Sequence, residues 1–256
     1  MQAALAHGLR SDVQFDPAGD GAVRLTFEQV KPEITPLYEA IRIRQCTRDE
    51  YDGRSLAPDQ LRQLEMIGQG NGVHVLLLTG KPQIERVLAY VLQGNSAEIN
   101  DPAFMTELMQ WIRFSDAEAA SKLDGLLSRA AGGPSLPRWS GNLMFRFVLS
   151  AKSDNEKYAR FVRSSAGLAV FVTGSDDKPH WVEAGRAYER FALQATATGV
   201  RTAMLNQAVE VAAVRARLAE ALGLGGRRPD LVLRFGYGAP MPRSLRRAPG
   251  AVIVPN

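Results

Sequence analysis

The chain has one cysteine and three histidines among its 256 residues. A single cysteine excludes an internal disulfide framework and is typical of a reducing compartment. The few residues that favour zinc are scattered along the chain as His7, Cys46, His74 and His180, and such scatter does not predict a zinc cluster. We therefore expect a cytoplasmic protein with no metal site.

Long apolar runs are also missing. No stretch approaches the roughly 18 consecutive apolar residues of a transmembrane helix, and the first residues lack the basic start and apolar core of a secretory signal. The net charge of +4 is modest, and no nucleic-acid recognition motif accompanies it. Neither a membrane nor a nucleic acid is expected as a partner.

The common catalytic motifs are absent as well. The sequence contains no Gly-x-Ser-x-Gly elbow and no Walker loop. Gly68 and Gly70 are followed by Gly72, which does not fit a dinucleotide fingerprint. Cys46 has no histidine near it in sequence, so we interpret it as a buried, inert thiol and not as a nucleophile. No side chain is predicted to be a catalytic acid, base or nucleophile.

What the sequence does contain is a long helical pattern at residues 181–199. Its apolar positions recur at helical spacing. The face that we predict to be buried contains Trp181, Gly185, Tyr188, Ala192 and Ala195. The many glycine and alanine residues of this stretch would let another helix approach closely. Apolar, β-branched runs at residues 167–173 and 200–205 predict a strand on each side. The rest of the chain is expected to pack around this strand–helix–strand unit.

Further elements follow from periodicity and from turn residues. Helices are predicted over residues 35–47, 60–66, 81–94, 154–163 and 208–222, with two more between 101 and 127. Strands are predicted over residues 13–15, 22–27, 73–79 and 229–235. Residues 130–141 hold two prolines and three glycines, so we expect a long loop there. Loops of this length often serve as lids or binding walls, and this one, with Trp139, is a candidate cover.

Two groups of arginines lie far apart in the sequence. The first contains Arg42, Arg44 and Arg48, and the second contains Arg243, Arg246 and Arg247. Guanidinium groups bind phosphate oxygens in a bidentate way. If the fold brings the two groups together, they form a phosphate site. The alternative is ordinary solvated surface charge, which is the commoner state of such clusters.

Residues 44–52, RQCTRDEYD, resemble the Arg-x-Ser-x-Arg-x-Phe opening of the FMN-dependent nitroreductases. Later motifs follow in the order of that family. They are the glycine-containing helix at 181–199, the Thr-Gly-Val-Arg-Thr turn after it, Leu-Gly-Leu at 222–224, Pro229, Arg-Phe-Gly at 234–236 and Arg-Arg-Ala-Pro at 246–249. Four segments are similar to the Acg-like branch, in which two nitroreductase-like halves are fused in one chain: ELMQWIRFS at 107–115, DGL at 124–126, LNQ at 205–207 and RSLRRAPG at 243–250.

The resemblance implies an α+β fold, with a central mixed or antiparallel sheet surrounded by helices and a long central helix. It also implies bound FMN, with NAD(P)H as the electron donor. In the family, the first, third and fifth residues of the opening motif and basic residues near the C-terminus hold the FMN phosphate. The matching positions here are Arg44, Cys46, Arg48, Arg246 and Arg247. Cysteine replaces the serine of the motif, which removes a good hydroxyl donor.

One departure concerns the segment that lines the flavin. The family has Pro-Ser-x-x-Asn-x-Gln-Pro-Trp there, supplied by the partner half, whereas residues 67–73 read IGQGNGV and match only at Asn71. The resemblance implies that residues 1–34 are the remnant of an N-terminal half and that residues 35–256 form the nitroreductase-like domain. A homodimer, or another nitroreductase-like chain, would then complete the site.

Two functions remain open on the sequence. The first is an FMN-dependent NAD(P)H oxidoreductase that passes hydride through flavin N5 to nitro compounds, quinones or similar small acceptors. The second is a catalytically degenerate protein that binds or sequesters FMN, or serves as an interaction subunit.

Overall fold

The N-terminal residues fold into a short helix followed by a hairpin. A computed structural model describes residues 1–18, 21–147 and 150–253, with all their side chains except those of residues 146 and 147. Helix α1 covers Gln2–Ala6, and strands β1 (Leu9–Asp16) and β2 (Ala22–Gln29) pair in an antiparallel hairpin. The two strands predicted here are therefore confirmed, with longer bounds than the sequence indicated.

Helices dominate the middle of the chain, and several begin at a capping residue followed by proline. Thr35, for example, accepts a hydrogen bond from the Tyr38 amide, and Pro36 occupies the first helical turn. The elements are α2 (Pro36–Ile43), α3 (Pro58–Gly68), β3 (His74–Leu78), α4 (Lys81–Ile99), α5 (Pro102–Trp111), β4 (Ile112–Arg113), α6 (Asp116–Lys122), β5 (Leu126–Leu127), a 3-10 turn at Ser128–Ala131, α7 (Arg138–Phe147) and α8 (Ala151–Arg163).

The last third of the chain contains three strands and three helices. They are β6 (Gly167–Thr173), α9 (Lys178–Ala197), β7 (Arg201–Met204), α10 (Gln207–Glu210), α11 (Ala212–Ala221) and β8 (Arg228–Gly236), followed by a 3-10 turn at Pro249–Ala251. None of the helices in the described ranges combines the length and the apolar composition needed to cross a bilayer.

The main sheet has four antiparallel strands in the order β3-β6-β8-β7. All residues of β6 are buried, because helices cover both faces of the sheet. Leu168 and Val170 point into a core formed with α4, α10 and α11, whereas Ala169 and Phe171 point into a second core formed with α3 and α9. This arrangement confirms the predicted α+β fold and the strand–helix–strand unit at its centre.

The buried face of α9 matches the prediction in the second half of the helix, where Ala192 and Ala195 are buried, but not in the first half. Trp181 is 47% exposed, and the position where Gly185 would carry a side chain opens onto space. The buried residues that the predicted face does not contain include Ala184, Ala187 and Phe191. Small residues occur all around this helix, so its pattern did not distinguish the face that α2 and α3 cover.

Two other expectations are corrected. The predicted loop at 130–141 is shorter, because α7 begins at Arg138, whose guanidinium donates to the carbonyl oxygens of Met109 and Ile112. Trp139 therefore lies in the first turn of α7. The predicted helix at 208–222 is divided at Val211 into α10 and α11.

Candidate functional site

The segment that follows α2 lies along the free edge of β7. Cys46 forms a parallel bridge with Thr202, and the Thr47 amide donates to the Thr202 carbonyl oxygen at 2.9 Å. Residues 44–48 thus continue the main sheet beyond its last strand. Successive side chains of an extended backbone point to opposite sides. This pairing therefore determines which side chains of residues 44–48 face solvent.

The C-terminal tail crosses the same region. The Gln45 side chain and the Met241 backbone exchange two hydrogen bonds of 2.8 and 2.9 Å. The Arg243 guanidinium donates to the Arg42 carbonyl oxygen at 2.5 Å, and the Leu127 amide donates to the Ser244 hydroxyl at 3.1 Å. These contacts bring together segments that lie between 117 and 201 residues apart in sequence.

Between these segments lies a cavity of about 530 Å³, which we call the outer cavity. Its walls come from the end of α2 and the following residues, from β5 and the turn after it, and from the tail. Four arginines line it, namely Arg44, Arg48, Arg243 and Arg246, together with Cys46. No acidic side chain of the described residues lines it. The two arginine groups of the sequence are therefore neighbours in the fold.

Not every predicted residue is part of this wall. Arg42 contributes its carbonyl oxygen to the tail contact and does not line the cavity, and Arg247 is exposed beside Arg246 without lining it. Cys46 was interpreted as a buried thiol, but it is only partly buried and lines the outer cavity. Thr47, next to it, is the fully buried residue.

The outer cavity is electrostatically positive. Arg44 pairs with Glu189 at 3.2 Å, but both side chains are partly exposed, so solvent weakens this interaction. In the described part of the chain, no ion pair joins Arg48, Arg243 or Arg246 to a carboxylate. Uncompensated guanidinium groups around a concave surface attract anions, and their planar forks suit phosphate.

A second cavity of about 180 Å³, the inner chamber, adjoins the first and shares Arg48 and Leu126 with it. Its walls are largely apolar and include Phe145, Phe161 and Met204. A charged space therefore lies next to a largely apolar one.

Polar groups also face the inner chamber. Burial, with a smaller contribution from Asp154, raises the pKa of Tyr158 to about 12, so its hydroxyl stays protonated at neutral pH. Gln207 hydrogen bonds to Tyr158 but does not itself line the chamber, and its side-chain oxygen is buried without a hydrogen-bond partner. The chamber therefore offers the Tyr158 hydroxyl as a hydrogen-bonding group.

Sequence reasoning did not identify Arg234 as a functional residue. It is fully buried and lines the inner chamber, although it occurs in the apolar strand β8. An arginine inside a run such as LVLRF was the signal that could have indicated it, because buried arginines need specific partners.

Residues 67–73 do not approach either cavity wall. Asn71 has a positive φ of 53°, and its amide donates to a Glu183 carboxylate oxygen at 2.9 Å. Trp139 is 73% exposed and lines neither cavity, although Ala130 and Ala131 of the same region do. Among the described residues, no group of three or more histidine, cysteine, aspartate or glutamate side chains is arranged to hold a metal ion.

No protein-family model and no curated protein matches the sequence. Solved structures do match the fold. An FMN-dependent nitroreductase, NfnB from Mycobacterium smegmatis in complex with NADPH, has a TM-score of 0.55 at 14% identity, over 86% of this chain and 98% of that one.

Two further similar structures are nitroreductases with bound FMN. The protein from Bacteroides fragilis has a TM-score of 0.53 at 14% identity, over 87% of this chain and all of that one. The protein from Desulfitobacterium hafniense has a TM-score of 0.50 at 14% identity, over 88% of this chain and all of that one. These likenesses establish the nitroreductase fold.

Proposed function

We propose that this chain binds FMN and acts as an NAD(P)H-dependent flavin oxidoreductase on nitro compounds, quinones or similar small acceptors. The observation that carries the proposal is the outer cavity, in which four arginines from two distant segments line one space whose wall, among the described residues, contains no acidic side chain. A phosphate group is the ligand that such a set of donors suits best.

The residues present fit the phosphate end of FMN. Arg44, Arg48 and Arg246 would hold the phosphate oxygens, and Cys46 would line the site in place of the usual serine. A thiol is a weaker donor than a hydroxyl, so the guanidinium groups carry most of the binding. Arg247, which lies outside the wall, would add only long-range attraction.

The inner chamber fits the other end of the molecule. Its apolar walls would bury part of a flat ring system, and Arg48, at the border of the two cavities, would lie between phosphate and ring. The Tyr158 hydroxyl would meet a polar ring atom. Ligand sites of this kind combine mostly apolar walls with a few placed polar groups.

Structures that share the fold support the same ligands, since similar proteins were crystallised with FMN and one with NADPH. When bound, FMN would supply the redox chemistry, taking a hydride from the nicotinamide and passing it to an acceptor. The residues of this chain would hold the phosphate, orient the ring and limit access of water to it.

A second function has its own supporting observation. Asn71 is engaged by Glu183 and does not line the cavities, so this chain alone does not supply the segment that covers the flavin in the nitroreductases it resembles. We propose, as the alternative, a catalytically degenerate protein that binds or sequesters FMN. Completion of the site by a homodimer partner or another nitroreductase-like chain would favour the enzyme.

A spectroscopic experiment separates these functions. Purified protein supplied with FMN should acquire the flavin absorbance under both proposals. Only the oxidoreductase should lose that absorbance when NADPH or NADH is added without oxygen, and regain it when a quinone or nitroaromatic compound is added. A protein that takes up no FMN on titration would refute both proposals. Retention of FMN without bleaching would leave the sequestering function.

A further inference from the structure

The side chain of Arg234 lies at the centre of the site, beneath the segment that carries the outer arginines. It is 1% exposed, and in the described part of the chain no ion pair joins it to a carboxylate. Burial lowers the pKa of Arg234, but an arginine still carries its charge at neutral pH. A buried charge without a counter-ion is costly, so its contacts need an explanation.

Those contacts are mainly with backbone carbonyl oxygens. One terminal nitrogen, Nη2, donates to Asp49 at 2.6 Å and to Thr47 at 3.1 Å. The other, Nη1, donates to the Phe161 carbonyl oxygen at 3.1 Å. The guanidinium therefore ties α8 to the residues on both sides of Arg48.

Aromatic rings hold the guanidinium in place. Its central carbon lies 4.1 Å from the centre of the Tyr51 ring and 4.9 Å from that of Phe161, and a cation close to an aromatic face is attracted to it. The Tyr51 hydroxyl also donates to the Thr47 carbonyl oxygen at 3.2 Å. The backbone before Arg48 is thus held by two donors.

We infer that Arg234 is a positioning residue for anion binding: it fixes the backbone at Thr47 and Asp49 so that Arg48 points to the border of the two cavities. The inference rests on the proposed function only in identifying the natural anion as the phosphate end of FMN. A planar fork with several donors is required, because the carbonyl oxygens lie on different segments. A lysine would keep the charge but could not hold all of them.

The test uses inorganic phosphate as the probe and phosphorus NMR or calorimetry to measure its affinity. Measured well below the melting temperatures of the variants, Arg234→Lys and Arg234→Met should each weaken phosphate binding by about tenfold. Arg190→Lys is the matched control. Arg190 is partly buried and, like Arg234, donates to backbone carbonyl oxygens, those of Ile67 and Gln69. It lines neither cavity, so that variant should bind phosphate like the wild type.

A double-mutant cycle separates positioning from general structural support. If Arg234 acts through Arg48, then Arg234→Lys should cost little further affinity in a protein that already carries Arg48→Lys. Additive losses would overturn the inference. So would wild-type affinity in Arg234→Lys, since charge alone would then suffice.

If the Arg234 variants do not fold, Tyr51→Phe decides the question. It keeps the ring under the guanidinium and removes one donor to Thr47, and it should weaken phosphate binding about threefold. An unchanged affinity would overturn the inference. Failure of the proposed function looks different: phosphate would bind in an Arg234-dependent way while FMN was not taken up.

Discussion

Arg246 and Arg247 are adjacent in sequence but differ in their relation to the outer cavity. Both side chains are exposed, but Arg246 lines the cavity and Arg247 does not. The pair therefore offers a matched experiment, in which Arg246→Ala and Arg247→Ala remove the same charge from neighbouring positions. We predict that only the first change strongly weakens FMN binding.

The expected losses of FMN affinity differ because Arg246 would contact the phosphate directly, whereas Arg247 would attract it only from a distance. A hydrogen bond from a guanidinium to a charged acceptor contributes about 1.5–3 kcal/mol, so its loss should weaken binding roughly 10- to 150-fold. A charge acting through water from about 10 Å contributes about 0.4 kcal/mol before salt screening, which corresponds to less than about a twofold change.

The assay is a titration of flavin-free protein with FMN, followed by quenching of flavin fluorescence, at low and at physiological ionic strength. The small effect of Arg247→Ala should disappear at the higher salt concentration, while that of Arg246→Ala should persist. Equal losses in the two variants, or a larger loss in Arg247→Ala, would refute the assignment of the outer cavity as the phosphate site.

Burial and the neighbouring Glu210 raise the pKa of Glu98 from 4.5 to about 8, so the folded state keeps this proton to higher pH than the unfolded state does. The free energy of unfolding should therefore fall as the pH rises between these two values. The melting temperature should fall with it, and Glu98→Gln should make this fall smaller. Parallel pH profiles of the variant and the wild type would contradict the assignment. Gly94→Ala should destabilise the protein by about 1–3 kcal/mol or more in thermal or urea unfolding, because the new Cβ would collide with the carbonyl oxygen of Gln207 in α10. Gly185→Ala, on the open face of α9, should instead stabilise by up to about 1 kcal/mol, and a similar effect of both changes would show that α4 and α10 are not in close contact.

Local elements could be predicted well wherever neighbouring residues agree. The strand at 167–173 was predicted with its observed bounds, because a short apolar, β-branched run has few other stable conformations. Thr35 and Pro36 likewise located the start of α2. The buried face of α9 was predicted correctly at Ala192 and Ala195 but not at Trp181 and Gly185, because small residues surround that helix and burial depends on where its neighbours pack.

The sequence also showed the residues that can bind phosphate, since the guanidinium groups of Arg44, Arg48 and Arg246 have this chemistry wherever they lie. It did not show that these residues come together, because the choice between a phosphate site and solvated surface charge depends on contacts between distant segments. Two sets of contacts bring the segments together. One is the backbone pairing of Cys46 with Thr202, and the other is the pair of hydrogen bonds between the Gln45 side chain and the Met241 backbone. Short-range propensity acts between residues close in the chain, whereas a binding site is decided by long-range packing, and only the folded structure shows that packing.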